Sequence, residues 1–334
     1  MEPHQIDPEI LAARALQAVA APGLDVTALP SHEARALADG VAMLLSEPLP
    51  DLPRVEDVIL RGPQGGLRGR IYAPATPDPR GSLLYVHGGG WFACNVDTHE
   101  RMLRVLAQAT GLAVFAFDYR LSPEHPYPAA LADTRAAWRW LRENGPARGI
   151  PTGRIAVAGD SAGANLALAL ALGERDAACE APAGLALLYG CFAPGIETGS
   201  QRRYGDGAYG LSTARMDWYW RNYLGPAGEA PALLATPLHA DLRGLPPTFV
   251  GVAELDILAD ENRLLAERLA ASGVQVELEV WPHTTHGFLQ MTRDVAAARS
   301  AVASIARAIR AFIVPGDDCM AGDRPAQPPP DLGM

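Results

Sequence analysis

The segment Gly159-Asp160-Ser161-Ala162-Gly163 joins a short apolar run, RIAVAGD, to an alanine- and leucine-rich one that follows Ser161. A serine flanked in this way, G-x-S-x-G, suits a tight strand-to-helix turn that exposes the hydroxyl, with side chains too bulky for the glycine positions. A serine hydroxyl is a weak nucleophile, so the chain must also supply a base and a group to orient that base. After a turn of this type the partners follow in the order acid, then histidine. Among the acids beyond Ser161, Asp176 ends a helical run, Asp206 and Asp217 lie in an irregular segment, Asp241 precedes a strand and Asp260 enters a helix. Asp256 closes the strand-like run PTFVGVAELD, two residues past Glu254, and is the expected orienting acid. Only His283 and His286 lie beyond it. His286, followed by Gly287 and Phe288, is the expected base, a glycine to turn the loop and a ring to pin it; His283, after Pro282, suits a surface turn as readily.

Attack by such a serine on an acyl carbon creates an oxyanion, and losing one prearranged donor to it typically costs about 2.7 to 4 kcal/mol. The N–H of Ala162, at a helix N-terminus, is one candidate donor. The others stand in SLLYVHGGGW, where His87 is followed by Gly88, Gly89 and Gly90 at the end of an apolar run. Glycines there leave the backbone N–H groups open to a substrate atom, while Trp91 is placed to anchor the loop.

Elements with a regular rhythm must carry these residues. VEDVILRG and LRGRIYAPA alternate like half-exposed strands around the turn PQGG and fit an antiparallel edge. Then apolar strands alternate with amphipathic helices: SLLYVH, a helix from about Thr98, LAVFAFDYR, a helix over Ala129 to Glu143, RIAVAGD, the helix after Ser161, GLALLYG, PTFVGVAELD, a helix to Ser272, VQVELEVWP and a helix over Arg293 to Phe312. That alternation predicts a mainly parallel sheet covered on both faces, with functional groups at the carboxyl ends of the strands. Residues 1–50 read as separate and helical, with one helix over Pro8 to Val19 carrying Ile10 and Leu11. A second, behind a Ser31 cap, carries Leu37, Val41, Leu44 and Leu45 as its apolar stripe. Residues 195–235 interrupt the rhythm with STARMDWYWRNYLG, and the proline- and acid-rich end, 315–334, reads as a disordered tail.

Bulk properties narrow the field. A net charge of −10 over 334 residues, with no lysine, argues against the basic patch that a nucleic-acid partner requires. The start, MEPHQIDPEI, has neither the charged nor the apolar region of an export signal, and the most apolar run, Ala164 to Gly173, is too short to span a membrane, so a cytoplasmic protein is expected. Cys94, Cys179, Cys191 and Cys319 have no paired or metal-binding spacing, and His283 and His286 lack further ligands at suitable spacing, so no metal and no cofactor are expected. In DYRLSPEHPYPAA, Asp118, Glu124 and His125 precede Ser161 and are expected to support the site rather than form a second acid and base set.

HGGGW, DYRLSPEHPYPAA, GDSAG, AELDILADE and HTTHGF, in this order, closely resemble the hormone-sensitive-lipase family of α/β-hydrolases, in its bacterial esterase branch. The resemblance covers roughly residues 55–312 and departs at Ile257, where proline is common. It implies an α/β-hydrolase fold with residues 1–50 as a helical cap, 51–314 as catalytic domain and about 195–235 as a second cap element. It implies Ser161 as nucleophile, His286 as general base and acid, Asp256 as orienter, and Gly89, Gly90 and Ala162 as oxyanion donors with Gly88 shaping the loop. The expected activity is hydrolysis of small-molecule esters with short to medium acyl chains. Amide hydrolysis on the same triad, or a non-catalytic receptor on this fold, are the competing readings. The aromatic cluster Trp218 to Tyr223 either packs a cap helix or lines the substrate pocket, with Trp91, Tyr219 and Tyr223 as the candidate pocket residues. A homodimer is left open.

Overall fold

Short apolar runs bounded by turn residues become the strands of one eight-stranded sheet in a computed structural model that describes residues 5–21, 25–226 and 232–314. The expected tail, with Cys319, lies outside the described residues, as does the start of the N-terminal segment. The strands are β1 (Arg54–Gly62), β2 (Gly65–Ala73), β3 (Ser82–Val86), β4 (Ala113–Phe117), β5 (Ile155–Asp160), β6 (Leu185–Leu188), β7 (Thr248–Ala253) and β8 (Val276–Trp281). Their spatial order is β1-β2-β4-β3-β5-β6-β7-β8. The hairpin β1–β2 forms an edge and β2 runs antiparallel to β4, whereas every other neighbouring pair is parallel.

Strands β3 to β7 are buried along their whole length, which is why they read as unbroken apolar runs rather than alternating ones. Alternate side chains still sort to opposite faces. Leu84, Val86, Val157 and Val250 face helices α4 (Ala129–Asn144), α5 (Ala162–Asp176) and α8 (Ala259–Ala271), represented in that layer by Trp138, Leu166 and Leu265. Leu83, Tyr85, Ala158 and Phe249 face α3 (Glu100–Thr110) and α9 (Ala296–Ile313), represented by Leu103 and Val302.

The chain leaves β3 for β4 on one side and returns past β3 to β5 on the other, with Val86 registered against Gly159. The loops leaving β3 and β5 therefore diverge from adjacent strand ends and open a crevice between them. Outside the sheet lie α1 (Pro8–Ala20), α2 (Ser31–Met43), α6 (Gly199–Tyr204) and α7 (Thr213–Leu224).

Several expectations are corrected. Strand β7 stops at Ala253, so Asp256 stands in the turn after it rather than closing it. The helix expected from Thr98 starts at Glu100, and the 195–235 segment holds α6 in addition to the expected α7. Pro30, not Ser31, is the N-cap of α2, with no side-chain bond, and burial in this region falls on Ala34 and Leu45 while Leu37 and Leu44 stay exposed. In α1, Ile10 is buried but Leu11 is half exposed. Helices α1 and α2 bury few residues, Ile10 and Ala13 in the one and Ala34 in the other, which an apolar periodicity weighted toward leucine misses.

Candidate active site

Ser161 occupies a backbone conformation that L-residues rarely adopt, φ 52° and ψ −119°, between the end of β5 and the start of α5. Its N–H donates to Leu188 O at 2.8 Å, which fixes the turn to the end of β6. The flanking glycines are required by contact. A Cβ on Gly159 would stand 2.4 Å from Gly163 O, and one on Gly163 would stand 2.0 Å from Val86 O.

The turns after β7 and β8 meet this one. Glu254 N donates to Trp281 O at 3.2 Å and Leu255 N to Thr284 O at 2.9 Å, which continues the pairing of the two strands beyond their ends and holds their loops together. Asp256 is almost fully buried, and its Oδ1 accepts from Leu258 N at 3.0 Å. Its Oδ2 lies 2.7 Å from His286 Nδ1, and His286 Nε2 lies 3.0 Å from Ser161 Oγ. Gly287, at φ 76°, turns the loop, and Phe288 is buried against Trp281 and Tyr189. Burial alone would depress the His286 pKa. The Asp256 carboxylate, by charge and by hydrogen bond, and the Asp160 charge outweigh burial and hold it above the ordinary 6.5. His283 lies apart, its N–H donating to Glu254 at 2.8 Å and its Nδ1 lying 2.9 Å from Gln5 O, so it fastens the N-terminal segment to the β8 end.

The loop after β3 is held against the Ser161 turn by Asp160. Its Oδ1 accepts from Gly88 N and from Tyr85 Oη, both at 2.9 Å, and lies 3.3 Å from His99 Nε2. Burial opposes ionisation of Asp160, but the His99 and Tyr85 contacts prevail and keep the carboxyl below its ordinary value. His87 is pushed down to about 3 by burial and by His99, and it stacks on Tyr119 with ring centres 4.2 Å apart. Because Gly88 N is taken by Asp160, Gly88 is a hinge of this loop and not a free donor. Gly89, at φ 112°, cannot carry a side chain, since a Cβ would stand 2.1 Å from Ala93 O. The N–H groups of Gly89, Gly90 and Ala162 donate to no protein acceptor among the described residues. Gly89 and Gly90 border a cavity of about 300 Å³ that also contains Ser161 and His286.

Of the three aromatic residues expected in the pocket, only Tyr219 lines this cavity. Trp91 and Tyr223 are corrected: both are fully buried, their rings stacked at 4.0 Å, and they pack α7 onto the glycine loop. Sequence reasoning missed Arg14 and Gln17 of α1, Arg215 and Met216 of α7, and Gln290, all of which line the cavity. No local signal marks them, because their neighbours in space are remote in the chain. DYRLSPEHPYPAA braces the loop from outside: Asp118 Oδ1 accepts from Val96 N at 2.8 Å, with burial pushing the carboxyl up to about 6. Glu124 pairs at 2.7 Å with Arg35 of α2, whose Nε donates to Phe92 O at 2.7 Å.

The alpha/beta hydrolase fold family matches residues 83–290. An acetyl esterase of Salmonella paratyphi B is 36% identical over 249 residues, covering 73% of this chain and 76% of that protein. The hyperthermophilic esterase from the archaeon Pyrobaculum calidifontis superposes with a TM-score of 0.87 at 33% identity, over 93% of this chain and all (100%) of that one. An esterase from the bacterial hormone-sensitive lipase family superposes with a TM-score of 0.82 at 30% identity, over 92% of this chain and 99% of that one. The sheet order, the serine turn at its switch point and these likenesses agree, and the chain belongs to the α/β-hydrolase family, alongside the bacterial hormone-sensitive-lipase esterases.

Proposed function

We propose that this chain is a serine carboxylesterase that hydrolyses small esters with short to medium acyl chains. The observation that carries the reading is the continuous chain of contacts from Asp256 through His286 to Ser161 Oγ, at 2.7 and 3.0 Å. In the first half-reaction Ser161 Oγ attacks the ester carbonyl carbon while its proton passes to His286 Nε2. The new oxyanion is met by the N–H groups of Gly89, Gly90 and Ala162, a role supported by their lack of protein acceptors. Collapse of the tetrahedral adduct breaks the carbon to alkoxy-oxygen bond, and His286 returns its proton to the leaving alcohol. Water then attacks the acyl-enzyme with His286 as base, releasing the carboxylic acid and restoring Ser161. Asp256 holds the imidazole in the tautomer with Nδ1 protonated and stabilises the imidazolium.

The N-terminal helices and residues 195–235 act as a cap over the site, a reading supported by Arg14 and Gln17 from the former and Met216 and Tyr219 from the latter in the cavity wall. A cavity of about 300 Å³ suits single small esters better than aggregated lipid. Among the described residues no helix is long and apolar enough to cross a membrane. The test is hydrolysis of p-nitrophenyl esters from acetate to decanoate. Turnover is expected to favour the shorter chains, and Ser161→Ala is expected to lower kcat by at least about 10³-fold. Retained turnover in that variant would overturn the assignment.

A further inference from the structure

The substrate cavity holds donors without acceptors. Arg14 of α1 lines it, with Nη2 donating to Ala208 O at 3.3 Å and Nη1 buried with no hydrogen-bond partner. No carboxylate pairs with Arg14 among the described residues, and burial without such compensation pushes its pKa below the ordinary value. Gln290, in the turn that follows His286, also lines the cavity, and its Nε2 is likewise buried and unpartnered. Among the described residues the only acid in the cavity wall is Asp160, already engaged by Tyr85, Gly88 and His99. A water molecule can accept one hydrogen bond from Arg14 but leaves its charge uncompensated. A planar guanidinium in the cavity wall, with one N–H edge lacking a protein acceptor among the described residues, fits a carboxylate, which accepts from several N–H groups at once. Leu211, Met216 and Met291 provide an apolar wall for a short aliphatic spacer.

We propose that the preferred substrates are esters carrying a carboxylate a few bonds from the scissile carbonyl, with Arg14 binding that carboxylate and Gln290 supplying a further donor. This rests on the esterase reading and names its substrate class. Since Arg14 lies in the same cavity as Ser161, it is a specificity-determining residue that acts in binding and takes no part in proton transfer.

The test compares ester pairs of matched shape by titrating released acid at about pH 7.5. Monoethyl succinate against ethyl 4-methylpentanoate places the charge on the acyl side; 3-acetoxypropanoate against 3-methylbutyl acetate places it on the alcohol side. An uncommitted apolar pocket favours the neutral member, because a carboxylate must be desolvated. The expected result is a kcat/KM at least about tenfold higher for the charged member in one of the two arms, mainly through KM, equivalent to about 1.4 kcal/mol. Arg14→Gln is expected to lower the charged-to-neutral ratio at least about tenfold, and Arg14→Lys to keep part of it. A merely structural role for Arg14 would lower both members alike and leave the ratio unchanged, which would overturn the proposal, as would preference for the neutral member in both arms. If Arg14→Gln does not fold, the ratio in Arg14→Lys and Gln290→Ala decides in the same way. Ser161-dependent hydrolysis of the neutral esters keeps the esterase reading standing whatever the ratio; absence of any Ser161-dependent hydrolysis removes both.

Discussion

His286 takes the Ser161 proton only when it is itself unprotonated, and its surroundings set the pH at which that holds. Burial pulls the pKa down, but Asp256 and Asp160 hold it above 6.5. The sign for stability is opposite to that for activity. Protonated His286 is favoured in the folded state, so its stabilising contribution is complete below about pH 6.5 and is lost as pH rises through the folded value. Activity appears over that same rise. The acid limb of the kcat/KM profile is therefore expected to have its midpoint above 6.5. Asp256→Asn removes the carboxylate, and should move that midpoint down and cut kcat by roughly 10³ to 10⁴-fold. A profile whose midpoint does not respond to this substitution would separate Asp256 from the base. The three side chains were legible from chain order taken with the strand ends and loops that carry them, although they stand 125 and 30 residues apart, because a sheet of this order delivers its strand ends to one edge.

The glycine loop after β3 and helix α7 are coupled through Gly90 and Tyr219. A Cβ at Gly90 would lie 2.6 Å from the Tyr219 ring, at φ 64°. Gly90→Ala is expected to cost about 1 to 2 kcal/mol for the left-handed backbone alone. Displacement of the N–H proposed as an oxyanion donor is expected to lower kcat by about 10²-fold or more. Replacing Tyr219 by Ala removes the collision, so the double variant Gly90→Ala/Tyr219→Ala should recover part of the loss, with a coupling of about 0.5 to 3 kcal/mol in thermal or denaturant unfolding. Purely additive effects would mean the two elements are not in register as described. Gly89 offers no such relief, because its neighbour is the Ala93 backbone. Substitution there should therefore damage fold and turnover together, so it is a poor isolated test of oxyanion binding. The glycine run pointed to an exposed backbone, but each glycine has a different neighbour, Asp160 for Gly88, Ala93 for Gly89 and Tyr219 for Gly90, and the last depends on how α7 seats. Trp91 and Tyr223 were misplaced for the same reason, since the rotation of α7 about its axis decides which rings meet solvent and which meet the loop.

Glu261, in the first turn of α8, affects the stability of the entire fold. Burial pushes its carboxyl up to about 8, although its Oε1 accepts from Phe192 N at 2.5 Å and Ala193 N at 2.8 Å. A carboxyl raised in the folded state imposes no penalty below its unfolded value near 4.5, then erodes stability as pH climbs toward about 8. Glu261→Gln keeps an acceptor oxygen for the two N–H groups without the charge. Its unfolding free energy relative to wild type should therefore improve by roughly 1 to 3 kcal/mol between about pH 5 and about pH 9. A pH-independent difference between the two proteins would contradict this.

Apolar runs and the breaks between them specified the parallel sheet and both covering layers, because five consecutive strands buried on both faces confine polar side chains to strand ends, Ser82, Asp160 and Thr248. Chain order, with the strand ends and the residues flanking each candidate, likewise singled out Ser161, Asp256 and His286. The cavity wall depended on folding. Arg14 stands far upstream of every motif, and only the packing of α1 beside the β8 end, through Asp7 N donating to His283 O at 2.9 Å, brings its guanidinium toward the serine. Periodicity and motif spacing carry information over one element or one loop. The contents of a pocket depend on how separate elements are rotated and seated against one another, which is decided by side-chain packing across the whole chain.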